Sequence, residues 1–108
     1  MIQQIHPRDV QAKLAAGEAV YLLDVRNPDE YAFCRIGESP LVPLPELAHR
    51  IDEVIPPAGA LVVVYCHHGV RSLSGAAILQ QGGFENVASM RGGIDAWSLA
   101  VDPSVPRY

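Results

Sequence analysis

The sequence predicts an α/β fold built on a mostly parallel sheet, and three observations carry that prediction. The segments "AVYLLDVR" (Ala19–Arg26) and "ALVVVY" (Ala60–Tyr65) are unbroken apolar runs with β-branched residues. Such runs suit central parallel strands covered on both faces. Segments with helical spacing of apolar residues lie between and after them. Strands alternating with helices place the helices on both faces of one sheet.

At 108 residues the chain has room for one core, so residues 1–108 are read as a single domain. A hydrophobic content of 49% with 19% charged residues is that of a globular protein, not a disordered one. The net charge of −4 argues against nucleic acid or an anionic membrane as partner. Seven arginines against the single Lys13 hint at fork-type anion sites. The opening "MIQQIHPRDVQ" lacks the basic start and apolar core of an export signal, and no apolar run has the length of a membrane span. Two cysteines without an export signal suit a reducing cytoplasm, where a reactive thiol fits better than a disulfide framework.

In chain order, a weak strand is expected at Met1–Ile5. The segment "HPRDVQAKLAAG" then has Pro7 near its start, Val10, Leu14 and Ala15 at helical spacing, and Gly17 as a stop. After the first apolar run, "NPDEYAF" offers Asn27 as N-cap, Pro28 at the first helical position and two acids in the first turn. A strand near Ser39–Val42 precedes "PLPELAHRIDEVI", which places Leu44, Leu47, Ile51 and Val54 on one helical face. The second apolar run leads into "RSLSGAAILQQGG", whose Ser74, Gly75, Ala76 and Ala77 let a helix lie close to a sheet. A short strand at Asn86–Met90 and a helix in "GGIDAWSLA", with Trp97 as a core plug, follow. The tail "VDPSVPRY" has two prolines and no periodicity, and reads as an ordered strap.

The chemistry concentrates in "VVVYCHHGVRS" (Val62–Ser72). A structural cysteine would suit the middle of the run, but Cys66 sits where the run stops. Ligand sites of open α/β sheets form beyond the carboxyl ends of strands. A helix beginning near Ser72 would point its free N–H groups at the same loop. Those groups, with Arg71 and a charged histidine, favour the thiolate. Gly69 permits the tight turn that gathers backbone N–H groups into an anion nest. The reading is an activated sulfur nucleophile inside an anion cradle.

Neighbouring residues receive their own readings. Arg71, by its spacing from Cys66, is assigned to anion binding rather than to a surface ion pair. Ser72 is most simply the helix N-cap, with a hydroxyl able to reach the sulfur. His67 is expected to be exposed at the mouth and His68 to help electrostatically. A metal role is set aside for both, because adjacent side chains diverge and no second Cys or His pair has zinc-site spacing. Cys34 in "FCRIG" is either a small buried apolar residue or a resolving thiol. Arg35 beside it would add positive potential at the entrance.

The stretch "CHHGVRS" resembles the active-site loop of the rhodanese superfamily of sulfurtransferases. "YLLDVRNPDEYAFCRIG" is similar to the family's strand-two segment, "VPLPEL" to the following loop and helix, and "MRGGIDAWS" to its Gly-Gly and Trp motif. The ending "VDPSVPRY" resembles those of single-domain bacterial rhodaneses and of rhodanese domains fused to ubiquitin-activating-type adenylyltransferases. The resemblance implies a five-stranded, mostly parallel sheet flanked by helices. It implies that Cys66 carries a persulfide and that His67, His68, Gly69, Val70 and Arg71 form the loop around the bound sulfur. It implies no metal or organic cofactor. The donor would be a small sulfur-containing anion such as thiosulfate or a protein persulfide, and the acceptor a thiol or a sulfur carrier. Asp24 and Arg26 match the strand-two motif, and their expected task is to tie loops together beside the site.

Two other functions compete. A non-catalytic interaction module of the same fold is opposed by the intact loop from Cys66 to Arg71. A small phosphatase or arsenate reductase is opposed by loop length. Four residues, "HHGV", separate Cys66 from Arg71, whereas the phosphatases and reductases that share this fold place five there. The sequence also offers no clear general acid for a phosphate leaving group.

Overall fold

The computed structural model describes residues 2–108. Strand β1 (Gln3–Ile5) leads to helix α1 (Pro7–Ala15), then β2 (Val20–Asp24) and α2 (Pro28–Phe33). Strand β3 (Leu61–Tyr65) runs into α3 (Arg71–Gln81), and β4 (Val87–Met90) into α4 (Gly93–Ala100). The four strands form an all-parallel sheet in the order β1-β4-β3-β2. Strand β3, the most apolar segment, takes an interior position. It pairs with β2 from Val20↔Leu61 to Asp24↔Tyr65 and with β4 from Val62↔Val87 to Val64↔Ser89.

Side chains alternate across β3 and so divide the core in two. Val63 and Tyr65 join Val10 of α1 and Ile94 and Trp97 of α4 on one face. Val62, Val64 and Cys66 join Leu47, Ala76 and Leu79 on the other. Helix α3 approaches closely because its sheet-facing residues are small. A Cβ added at Gly75 would stand 3.1 Å from Val64 Cγ1. The tail is a strap, as expected: Val105 is buried, and Ser98 Oγ donates to its carbonyl at 2.6 Å.

Two expectations need correction. The fifth strand at Ser39–Val42 shrinks to a single parallel bridge, Asp24↔Leu41, with Asp24 N–H donating to Pro40 O and Val42 N–H to Asp24 O, both at 3.0 Å. Pro40 and Pro43 flank that bridge and have no N–H to extend a ladder. The helix expected over "PLPELAHRIDEVI" is instead two 3-10 turns, Leu44–Glu46 and Ile51–Glu53. Leu44 to Leu47 and Ile51 to Val54 are steps of three, which match the 3-10 repeat and still turn Leu47 and Val54 into the core. Among the described residues no helix is long and apolar enough to cross a membrane.

Leu79 of α3 is fully buried against the sheet, whereas Leu99 of α4 is 65% exposed. Leu79→Ala should cost about 2–5 kcal/mol, and Leu99→Ala should stay within about 0.5 kcal/mol of the parent. Urea unfolding midpoints of the two variants, at unchanged slope, provide the check.

Candidate active site

Strand β3 delivers Cys66 to the carboxyl end of the sheet, and residues 67–70 turn the chain into α3. The thiol lies at the base of this turn and is 1% exposed. Its Sγ accepts the Gly69 N–H at 3.1 Å and the Ser72 N–H at 3.4 Å. Ser72 Oγ lies 3.6 Å from the sulfur and 2.7 Å from Ser89 Oγ on β4. Ser72 is therefore not the N-cap. Val70 holds that position, Ser72 is buried one residue inside α3, and the sulfur itself accepts the helix N–H that a capping side chain would take.

The loop is held from behind by α4. The Ile94 N–H donates to Cys66 O at 2.8 Å and the Asp95 N–H to His67 O at 3.1 Å. These contacts require glycine. A side chain at Gly93, whose φ is +61°, would collide with the Cys66 and His67 carbonyls. One at Gly69, whose φ is +95°, would stand 2.9 Å from Gly92 N.

Arg71 does not open toward the sulfur. Its fork closes on Glu30 of α2, with Nη1 donating to Oε1 at 2.7 Å and Nη2 to Oε2 at 2.9 Å. Glu30 Oε2 also accepts the Tyr108 hydroxyl at 2.7 Å, and that hydroxyl accepts Arg26 Nη1 at 2.8 Å. Arg26 in turn binds Asp24, through Nε to Oδ1 at 2.9 Å and Nη2 to Oδ2 at 2.6 Å. It also donates to Cys34 O at 2.6 Å. Asp24 and Arg26 are both 0% exposed. They tie the end of β2 to the turn after α2 and to the strap.

The network shifts its members. Hydrogen bonds from Arg71 hold the Glu30 carboxyl down at about 2, against an ordinary 4.5, although partial burial opposes this. Burial works against the charge on Arg26, but the hydrogen bonds to Asp24 and Tyr108 outweigh it and keep the guanidinium more firmly protonated. Burial raises the Tyr108 phenol to about 12, so its hydroxyl keeps its proton and can donate to Glu30.

His67 differs from its expected exposed position. Its ring is stacked on Tyr108, with centroids 3.8 Å apart and planes 5° from parallel, and its Nε2 is buried with no hydrogen-bond partner. Burial and the neighbouring His68 both lower its affinity for a proton. The two histidine rings do not diverge either, for their centroids are 3.8 Å apart. The alternation that separates neighbours in a strand does not operate in a turn. His68 is exposed at the mouth, as is Val70. Arg35 lies over Tyr31, 4.5 Å from the ring centroid, and its Nη1 donates to Tyr31 O at 3.2 Å. Cys34 is buried in the core cluster that holds Tyr65 and Trp97, and Cys66 in the other, with Leu23 and Leu79.

Sequence reasoning did not find Glu30 or Tyr108 as part of this site. Glu30 showed only as a first-turn acid, and Tyr108 gave no signal. The Gly92–Gly93 pair was visible as a motif, but its contact with the loop was not.

The geometry places a buried thiol at a strand-to-helix turn of a parallel α/β sheet, held by the backbone N–H groups of Gly69 and Ser72. Comparison with known proteins identifies the family. The sequence matches the rhodanese-like domain across residues 6–100, and the chain belongs to that family. It is 36% identical over 98 residues to a sulfurtransferase of Allochromatium vinosum, a match covering 91% of this chain and 90% of that one. It is 33% identical over 90 residues to thiosulfate sulfurtransferase GlpE of Pseudoalteromonas translucida, covering 83% and 84%. The probable adenylyltransferase/sulfurtransferase MoeZ of Mycobacterium tuberculosis is 31% identical over 104 residues, which are 96% of this chain but only 26% of that protein. The crystal structure of a rhodanese-related protein from Thermoplasma volcanium superposes with a TM-score of 0.81 at 29% identity, covering 98% of this chain and 99% of that one.

Because the Glu30 carboxyl sits below its ordinary value, its pairing stabilises the fold above pH 4.5 and is lost as the pH falls toward 2. Glu30→Gln should lower stability at neutral pH and flatten the loss across that acid window. Urea midpoints measured from neutral to acid pH test this, and parallel profiles for the two proteins would contradict it.

Proposed function

We propose that the chain is a sulfurtransferase in which Cys66 carries sulfur as a persulfide. The observation behind this reading is the Cys66 sulfur, held by the N–H groups of Gly69 and Ser72 at the start of α3. A thiolate is favoured by such donors and by the positive end of a helix. With thiosulfate as donor, the thiolate attacks the outer sulfur, the S–S bond breaks, and sulfite leaves with the bonding pair. The persulfide on Cys66 keeps a terminal sulfur that the loop N–H groups stabilise as an anion. A thiophile such as cyanide or a thiolate then attacks that terminal sulfur, and Cys66 leaves as the thiolate. Each half-reaction breaks one S–S bond and forms one new bond to the transferred sulfur, S–S with a thiolate or S–C with cyanide, without a redox partner.

In this reading Arg71 acts by holding Glu30 and by its positive charge near the loop, while backbone N–H groups bind the anion. The four-residue spacing keeps the cradle small, which suits a single sulfur better than a tetrahedral oxyanion. A relative bearing the name thiosulfate sulfurtransferase supports thiosulfate as the first donor to try.

Intact mass spectrometry gives a direct test. After thiosulfate the protein should gain the mass of one sulfur atom, and cyanide should remove it with release of thiocyanate. Cys66→Ser should abolish both, and Cys34→Ser neither. Wild-type turnover in Cys66→Ser would overturn the assignment.

A further inference from the structure

The two histidines after Cys66 meet an acid from α4. His68 Nε2 lies 3.9 Å from Asp95 Oδ2, and one candidate ligand atom from each of His67, His68 and Asp95 lies within 4.8 Å of the other two. His67, a member of this cluster, has a buried Nε2 with no hydrogen-bond partner. A buried imidazole nitrogen without a partner is uncommon, because its desolvation goes uncompensated. Two imidazoles and a carboxylate form a donor set that zinc and its first-row neighbours accept. Zinc bonds of about 2.0–2.2 Å in tetrahedral geometry put ligand atoms about 3.3 Å apart. Closure around an ion would draw these atoms together from within 4.8 Å. It would also turn the exposed His68 ring, which now packs against His67, so that its nitrogen faces the same point.

We infer that His67, His68 and Asp95 form a site for a divalent transition-metal ion of the zinc class at the mouth of the Cys66 loop, with its remaining coordination position open. The scaffold supports it on both sides. The Asp95 N–H already binds His67 O at 3.1 Å, which fixes the acid's helix against the loop that bears the histidines. Tyr108 stacks on the His67 ring and restrains it. The competitor for the carboxylate is Arg107, whose Nε and Nη2 lie 2.8 and 3.4 Å from Asp95. That arginine is more than half exposed, so its ion pair is weakly held and can yield to an ion. A bound ion would link the loop to α4 by a third connection, beside the two backbone hydrogen bonds. This inference does not depend on the sulfur-transfer reading, since it concerns binding alone.

Cobalt(II), a visible-absorbing substitute for zinc, tests it on the full reduced chain. Titration should give saturable one-site binding with visible ligand-field bands that zinc abolishes. Those bands should survive in Cys66→Ser and lack a thiolate charge-transfer band. His68→Ala and Asp95→Asn should each weaken binding about tenfold or more, and Arg107→Ala should strengthen it. Circular dichroism should show the three surface variants folded. The inference is overturned if binding vanishes in Cys66→Ser, which would make the thiol the ligand. It is equally overturned if His68→Ala and Asp95→Asn bind cobalt like the parent, or if no saturable binding occurs below millimolar cobalt.

Discussion

The structure of the site depends on two turns that touch through their backbones. Gly69 in the loop after β3 and Gly93 after β4 each lack a side chain where the other turn passes. This lets the first turn of α4 donate its N–H groups to the Cys66 and His67 carbonyls. The Cys66 and His67 carbonyls are thereby fixed to α4, while the Gly69 and Ser72 N–H groups farther along the chain meet the sulfur. The cradle is therefore built from both β–α turns, with α3 and α4 contributing from opposite faces of the sheet.

Around that cradle the charges are balanced. Asp24, Arg26, Glu30 and Arg71 form two opposed pairs joined by the Tyr108 hydroxyl, which accepts from one arginine and donates to one carboxylate. Burying Asp24 and Arg26 completely is costly unless every polar atom is met, and the hydrogen bonds to Cys34 O and Tyr108 meet those that Asp24 leaves. Arg71, bound on both arms, supplies a field and not an open fork. An anion at the sulfur is thus met mainly by backbone dipoles, which cannot be titrated or swung away.

The elements that sequence disclosed best were those dominated by local composition. Strands β2 and β3 were legible because each is an unbroken apolar run, and α3 because a stretch of consecutive small residues ending at a Gly pair follows directly. Proline defeated the fifth strand, and a repeat of three in Leu44–Leu47 and Ile51–Val54 passed for a helical face. In the site, the Cys66-to-Arg71 spacing was visible. What Arg71 binds was not, because its partner lies 41 residues earlier on another helix. Ser72 was placed one step outside the helix because the sulfur, not a hydroxyl, accepts the N–H at that end. The packing of His67 against Tyr108 joins residues 41 apart in sequence (108 − 67 = 41), and no local pattern announces it.

The two cysteines lie on opposite faces of the sheet, Cys66 with the α3 layer and Cys34 with Tyr65 and the strap. Cys34 Sγ lies 3.9 Å from Arg26 Nη1, whereas Cys66 Sγ is held by the Gly69 and Ser72 N–H groups, so the two thiols have separate surroundings. In the proposed reaction, a persulfide on Cys66 would have no second thiol of this chain packed in the same core cluster. Under that proposal, loaded sulfur would wait for an external molecule to reach the loop, which would make the lifetime of the charged state a property of the encounter. For the same reason, an over-oxidised Cys66 would have no intramolecular disulfide as refuge, and its repair would depend on outside reductants.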